Sequence, residues 1–202
     1  MQNALGNEEF LSERFGAERV LGGLCFVCLN RVAPGVIEHY GEGTVSIGEF
    51  NRPPAERTRQ IAADLVASGI HVRVVESLIT ERWRKLVWNI PFNGLSIAGG
   101  NIPTSEILAD EGLRHMVGEL MEEIMVAAER LGHELPASLI EDQIQRTYPM
   151  GAYKPSSLLD HLAGRPVEVE AIWGEAVRQA RGVGARMVRV EMLYQLLKKL
   201  TA

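Results

Sequence analysis

The apolar positions of this chain change character near residue 76. Before it, short apolar runs alternate with helical stretches; after it, every apolar pattern has helical spacing. Asn7 to Phe15 reads as a short helix, with Glu8 and Glu9 near its start, where the helix dipole favours negative charge. Val20 to Leu29 is a continuous apolar run and predicts a buried strand. Pro34-Gly35 marks a turn. Val36–Tyr40 and Thr44–Ile47 flank Gly41-Glu42-Gly43 and read as a hairpin. Pro53-Pro54 opens a helix that runs to Ala67 and stops at Ser68-Gly69, and His71–Val75 follows as a strand.

The second part predicts helices alone. Leu78–Ile90 is the first, continued by Phe92–Ala98, with a bend or interruption expected at Pro91 because proline removes a helical donor. Further helices start at Thr104 and span Leu113–Leu131, Pro136–Arg146, Val167–Arg181 and Val188–Leu200; Gly132 ends the long one as a C-cap. Tyr148–Arg165 reads as polar and turn-rich. The domain division expected is 1–76 for an incomplete α/β part and 77–202 for an all-helical part. So few strands do not make a full sheet, so Val20–Leu29 should have an open edge that favours association.

Composition narrows the function classes. The 202 residues contain 46% hydrophobic positions, enough for a real core. Lys and Arg number 21 against 26 Asp and Glu, a net charge of −5, which argues against nucleic acid as the main partner. No apolar run approaches a membrane span, and the polar start MQNALGNEEF does not read as a signal peptide, so the expected compartment is the cytoplasm. Cys25 and Cys28 have metal-like spacing but lie in an apolar strand-like run without a second ligand pair; buried thiols are the expectation, and no metal site. Glu119, Glu122 and Glu129 read as a solvated helix face.

The candidate chemistry begins with Glu81–Gly94, ERWRKLVWNIPFNG. It spaces Lys85, Asn89 and Asn93 by four, which places them on one helical face. Turned outward, Lys85 is an ordinary snorkelling lysine. Turned inward among Trp83, Trp88 and Phe92, a cation with two carboxamides suits a small oxygen-rich anion, and burial would lower the lysine pKa. Gly94 leaves room for a ligand or a close backbone approach. In Tyr153–Glu170, Ser156, Ser157 and Asp160 have helix-start spacing and are either caps or site residues. Glu168 and Glu170 either favour a helix N-terminus or accept hydrogen bonds from ligand hydroxyls. Asn3, before the first helix, reads as a turn or cap residue. The five histidines show no ligand spacing. No G-x-G-x-x-G follows a strand, and neither a P-loop nor a G-x-S-x-G occurs.

Four ordered stretches resemble the ketopantoate reductase (2-dehydropantoate 2-reductase) family: QNALGNEE, VLGGLCFVCLNRVAPGVIEHYGEGTVSIGE, ERWRKLVWNIPFNGLSIAGG and SSLLDHLAGRPVEVEAIWG. The fold this implies is a C-terminal remnant of a Rossmann-type α/β domain, followed by a helical domain like that of 6-phosphogluconate dehydrogenase-type reductases. The activity implied is NADPH-dependent reduction of a 2-keto acid, 2-dehydropantoate, to its 2-hydroxy acid in pantothenate synthesis. The family's general acid falls on Lys85, its substrate-site residues on Asn89, Asn93 and Ser156, its ligand-binding glutamate on Glu168, and the asparagine near the nicotinamide on Asn3. NADP is the implied cofactor, and a homodimer is an implied partner state.

The chain departs from the family pattern at Ala4, where glycine is usual, at Asn93-Gly94-Leu95, where N-P-L is common, and at Gly184–Val188, which lacks a proline. These differences bear on the substrate and leave the lysine in place. The family's phosphate-binding start would precede Gln2, so the expectation is a chain that is inactive alone and does not bind NADPH unaided. Two other readings stay open: a non-catalytic helical module that dimerises or binds a small acid, and a reductase of another 2-keto acid.

Overall fold

Leu21–Ala33 (β1) and Val36–Glu49 (β2) form a long antiparallel ribbon that turns at Pro34-Gly35. The register runs from Leu21 opposite Glu49 to Ala33 opposite Val36. Gly41 and Gly43 do not turn the chain, contrary to the hairpin expected there. They lie inside β2, where the register shifts between Phe26 and Val27 and again between Cys28 and Leu29. Glycine pairs can mark bulges as readily as turns, because both need a backbone freed from a Cβ. A helix, Asn7–Phe15 (α1), precedes the ribbon.

A second helix, Glu56–Ala67 (α2), carries the chain from β2 to His71–Val74 (β3), which pairs parallel to β2 from Thr44 opposite His71 to Ile47 opposite Val74. This is a βαβ crossover, and the sheet order is β1-β2-β3. Val45, Ile47 and Ala62 form its core with Leu21, Cys25, Val72 and Val74 packed against them. The computed structural model describes the backbone of residues 1–202 and all side chains except those of Tyr40 and Glu42. It divides into two units, Met1–Arg82 and Trp83–Ala202.

In the first unit, Glu49 ends β2 with its side chain fully buried. Arg57 donates from Nε to Oε1 at 2.8 Å and from Nη2 to Oε2, Thr58 Oγ1 donates at 2.5 Å, and Arg52 Nη2 at 2.9 Å. The Arg57 hydrogen bond, helped by Thr58 and Arg52 and opposed by burial, lowers the carboxyl pKa from 4.5 to about 2. A depressed folded-state pKa gives stability that is complete above the unfolded value and disappears as pH falls toward the folded one. The first unit should therefore weaken between about pH 4.5 and pH 2. Glu49→Gln should lose about 2–3 kcal/mol at neutral pH and flatten that dependence in urea titrations. Parallel pH profiles for the two proteins would show that Glu49 does not control the transition.

The next helix, Leu78–Ala98 (α3), runs through Pro91 without the interruption expected. Proline removes one helical hydrogen bond, but Trp83, Leu86, Val87, Ile90 and Phe92 are all fully buried on successive faces. Burial all round holds the helix through that local loss. Thr104–Ala109 (α4), Glu111–Arg130 (α5), Leu139–Thr147 (α6), Ser156–Leu162 (α7), Glu175–Gly182 (α8) and Val188–Leu200 (α9) complete the second unit. α7 lies inside the stretch expected to be turn-rich. Residues Glu170–Gly174, just before α8, wind as a π-helix.

The core of the second unit gathers Ile107 of α4, Leu120, Met121 and Ile124 of α5, Trp173, and Leu197 of α9. Glu123 of α5 accepts from the Arg189 and Val190 backbone N–H groups at 3.0 and 3.1 Å, so one helix caps the next. Glu119 pairs with Arg189. The acidic face of α5 is thus partly spent on α9, while Glu122 and Glu129 face solvent as expected. No helix among the described residues is long and apolar enough to cross a membrane.

Candidate active site

Lys85, Asn89 and Asn93 are all buried on α3, at 8%, 8% and 2% exposure. Spacing by four puts them in one row, and burial removes the reading of Lys85 as a surface lysine. The helix is fixed in rotation by contacts on its other faces. Trp88 stacks on Phe92 with ring centroids 4.9 Å apart and lies 6.4 Å from Tyr153. Trp88 Nε1 donates to Thr147 Oγ1 at 2.8 Å, and Thr147 donates to the Gln143 carbonyl at 2.6 Å. On another side, Trp173 Nε1 donates to the Ile90 carbonyl at 3.1 Å.

Gly94 serves this clamp and not a ligand. A Cβ there would stand 2.5 Å from Leu193 Cδ2 and 3.2 Å from Trp173 Nε1. Both neighbours lie in the packed core, so glycine is what allows α9 and Trp173 to approach α3 closely.

The two asparagines differ in what they offer. Asn93 donates from Nδ2 to the Asn89 carbonyl at 3.0 Å and accepts at Oδ1 from the Ser157 backbone N–H at 2.9 Å. Its carboxamide therefore caps α7 from across the unit. The local serines do not cap it: the N-cap position is Pro155, without a side-chain bond. Ser157 is buried by this contact, and Ser156 beside it stays exposed. Replacing Asn93 by Leu would leave the buried Ser157 N–H without an acceptor. It should destabilise the second unit by about 1–3 kcal/mol, read as a lower urea midpoint in tryptophan fluorescence. An unchanged midpoint would show that the bond does not anchor α7.

Sequence treats Glu168 and Glu170 alike, but the structure separates them. Glu170 accepts from Tyr194 Oη at 2.6 Å and from Arg178 Nη1 at 3.0 Å, with Lys198 at 3.6 Å. The Tyr194 and Arg178 hydrogen bonds hold its pKa below the ordinary value. This latch ties the π-helix to α8 and α9. Glu168 is exposed, its carbonyl accepts from Ile172 N–H at 3.0 Å, and its carboxylate has no partner among the described residues. Asp160 pairs with Arg165 at 2.7 Å and shapes the turn after α7. Helix-start spacing marks Ser157 as a cap or site residue, not as the backbone donor to Asn93, and nothing in the pattern marks Thr147 or Trp173 as positioning groups. Trp173 stands out only as the one large aromatic in EAIWG.

Asn3 belongs to the first unit, half-buried beside a neighbour anchored on both its backbone groups. Gln2 N–H donates to the Gly23 carbonyl of β1 at 3.0 Å, and the Gln2 carbonyl accepts from Arg82. No glycine-rich strand-to-helix turn that would hold a pyrophosphate occurs among the chain's residues. No cluster of metal-ligating groups occurs among the described residues.

Residues 77–201 match the family described as "Ketopantoate reductase PanE/ApbA C terminal", and residues 1–52 match "Ketopantoate reductase PanE/ApbA". A 2-dehydropantoate 2-reductase of Nostoc is 38% identical over 98% of this chain and 63% of its own length. One from Mesorhizobium japonicum is 29% identical over 98% and 60%. Among solved structures, the 2-dehydropantoate 2-reductase of Geobacter metallireducens superposes with a TM-score of 0.94 at 40% identity, covering 98% of this chain and 66% of that one. The chain thus spans less than two thirds of each relative. With both of its parts matched in order, and the helical part matched almost end to end, the chain belongs to the ketopantoate reductase family.

Proposed function

We propose that this chain is the substrate-holding and proton-donating part of an NADPH-dependent 2-dehydropantoate 2-reductase. The observation that carries the proposal is the buried row of Lys85 and Asn89 on a helix clamped from its other sides. A buried row that carries one ammonium and carboxamides beside apolar groups suits an anionic, oxygen-rich ligand. A 2-keto acid offers both a carboxylate and a carbonyl oxygen.

A nicotinamide cofactor, when bound, would supply the hydride for the carbonyl carbon. The remaining work belongs to protein groups. Lys85 stabilises the charge gathering on the carbonyl oxygen and then gives that oxygen a proton, completing the 2-hydroxy acid. The Asn89 carboxamide binds the substrate without adding charge. Asn93 acts mainly by placing the start of α7, where Ser156 is presented as a hydroxyl donor. Glu168, whose carboxylate is unspent, accepts from a hydroxyl of the substrate or the ribose, and Asn3 serves the nicotinamide end.

The test is to join the chain in frame to the part of the Geobacter relative that it does not match. Addition of 2-dehydropantoate should then drive NADPH oxidation. A folded fusion active only on another 2-keto acid would replace the substrate. One that is inactive on all of them, while the chain alone still binds 2-dehydropantoate, would favour a small-acid-binding module over a reductase.

A further inference from the structure

The turn before α8 is wound one residue looser than an α-helix. Glu175 N–H donates to the Glu170 carbonyl and closes the π turn over Glu170–Gly174. Such turns are rare and are found mostly at functional sites. The effect here is one of phase. α8 is locked in the core by Ala176, Val177 and Ala180. If the turn relaxed to α-helical winding, the chain ahead of it would rotate by about 100° and shift by about 1.5 Å relative to α8. Glu168 lies in that chain, its carbonyl bonded to Ile172 N–H inside the turn at 3.0 Å. Trp173 lies in the turn itself and donates to the Ile90 carbonyl of α3 at 3.1 Å, one residue from Asn89. The π winding thus sets where Glu168 stands and lets Trp173 hold α3 at the same time.

Three side chains reach the Glu170 carboxylate, and they differ in weight. Arg178 and Lys198 meet it at 3.0 and 3.6 Å, but all three charged groups are about half exposed, and such pairs contribute little. Tyr194 is only 8% exposed, and its Oη donates to Glu170 Oε1 at 2.6 Å. A buried hydroxyl bonded to a carboxylate is among the stronger hydrogen bonds, and losing its acceptor is costly. Gly174 makes room for this contact. A Cβ there would stand 2.8 Å from Glu170 Oε2, 3.1 Å from Arg178 Nη1 and 3.2 Å from Tyr194 Cε2. Its backbone is ordinary helix, at φ −61° and ψ −46°, so the glycine serves space and not conformation.

We propose that Tyr194 and Glu170 are positioning residues for the substrate site. Their hydrogen bond, seated over Gly174, holds the π turn in the register that places the Glu168 carboxylate and keeps Trp173 on α3. Neither residue touches the substrate. This role rests on the reading of Glu168 and the row of Lys85 and Asn89 as a reductase's ligand site. Glu168 holds a hydroxyl in the ground state and in the transition state alike, and α3 keeps its Trp88 clamp. A misplaced Glu168 therefore raises KM and leaves kcat much less affected.

In the active fusion, Tyr194→Phe should raise KM for 2-dehydropantoate or NADPH, whichever Glu168 serves, by about tenfold. Glu170→Ala should do the same, and the double variant should be no worse than either single one. Glu170→Gln keeps an oxygen acceptor for Tyr194 and should keep KM near the wild-type value. Gly174→Ala favours helix and should not lower the melting temperature, yet it should raise KM by displacing the carboxylate. In the chain by itself, the Trp173 indole N–H resonance, assigned through Trp173→Phe, should shift in Tyr194→Phe and in Gly174→Ala while that of Trp88 stays. A working fusion whose KM values are indifferent to both Tyr194→Phe and Gly174→Ala overturns the proposal. So does a loss of affinity in Glu170→Gln equal to that in Glu170→Ala, which would assign the effect to charge. A wild-type fusion without turnover overturns the reductase reading instead; the latch is then judged on the chain alone, and it fails if the Trp173 resonance does not move.

Discussion

Arg82→Met should destabilise the first unit by about 3–5 kcal/mol, the usual effect of removing one member of a buried ion pair. Arg82 is 1% exposed. Its Nη2 donates to Glu8 of α1, also buried, and its Nη1 to the Gln2 carbonyl. Without the guanidinium, the Glu8 carboxylate stays buried with no counter-charge and the Gln2 carbonyl loses its donor. Small domains have only about 5–15 kcal/mol in total, so this loss takes a large share.

Gly22 leaves little space for rearrangement there, because a Cβ on it would already meet Glu8 Oε1 at 2.7 Å. Hydrogen exchange by mass spectrometry should show peptides from residues 1–30 losing protection. Arg84→Met, at a half-buried position two residues on, should cost far less. The double variant Glu8→Leu with Arg82→Met should recover much of the loss, since a buried pair replaced by apolar groups is often neutral. If Arg82→Met left protection of these peptides unchanged, the pair would not be what holds α1 and the Asn3 segment in place.

Arg82 and Arg84 also show where sequence reading stops. Both flank Trp83 in ERWRKL, and nothing in composition or spacing tells which one is buried. That depends on Glu8, more than seventy positions away in the chain, which no local pattern encodes. Lys85 and its two asparagines were legible as a row because helical spacing is local. Whether the row faced inward was not, because it depends on what Thr147, Tyr153 and Trp173 contribute from other parts of the second unit.

The strands show the same division. The apolar run at Val20–Leu29 identified β1, and the apolar and polar alternation of His71–Val75 identified β3. The turn was assigned to two places, Pro34-Gly35 and Gly41-Glu42-Gly43, and only the first is a turn. Both are valid turn signals locally; the pairing of β1 across the full length of β2 decides between them, and it absorbs Gly41 and Gly43 as bulges. Ser156 to Asp160 had helix-start spacing, yet the surrounding glycines and prolines led to an expectation of turns. The helix that forms there is short and takes its cap from Asn93, a residue on another element. A cap borrowed at such distance leaves no trace in the local sequence.

In the fusion that restores turnover, Lys85→Ala should lower kcat by roughly 10²–10⁴ and change the KM for 2-dehydropantoate much less. The asymmetry follows from where charge develops. The ground-state carbonyl is neutral, so a nearby ammonium gains little by it. Once hydride has been delivered, the oxygen carries the charge, and the interaction strengthens in a site that excludes water. Lys85→Arg should not restore the rate. A guanidinium can stabilise the oxygen, but its proton is held too tightly to transfer near neutral pH. The pH profile separates the two contributions. A lysine acting as acid makes turnover fall as pH rises through its own titration, and this limb should vanish in Lys85→Ala while the residual rate persists. Lys85 lies in a packed helix, so a thermal melt must accompany the kinetics: a folded variant that keeps the wild-type kcat would remove Lys85 from the proton transfer. Loss of KM alone, with kcat preserved, would recast the row of Lys85 and Asn89 as an anchor for the substrate carboxylate.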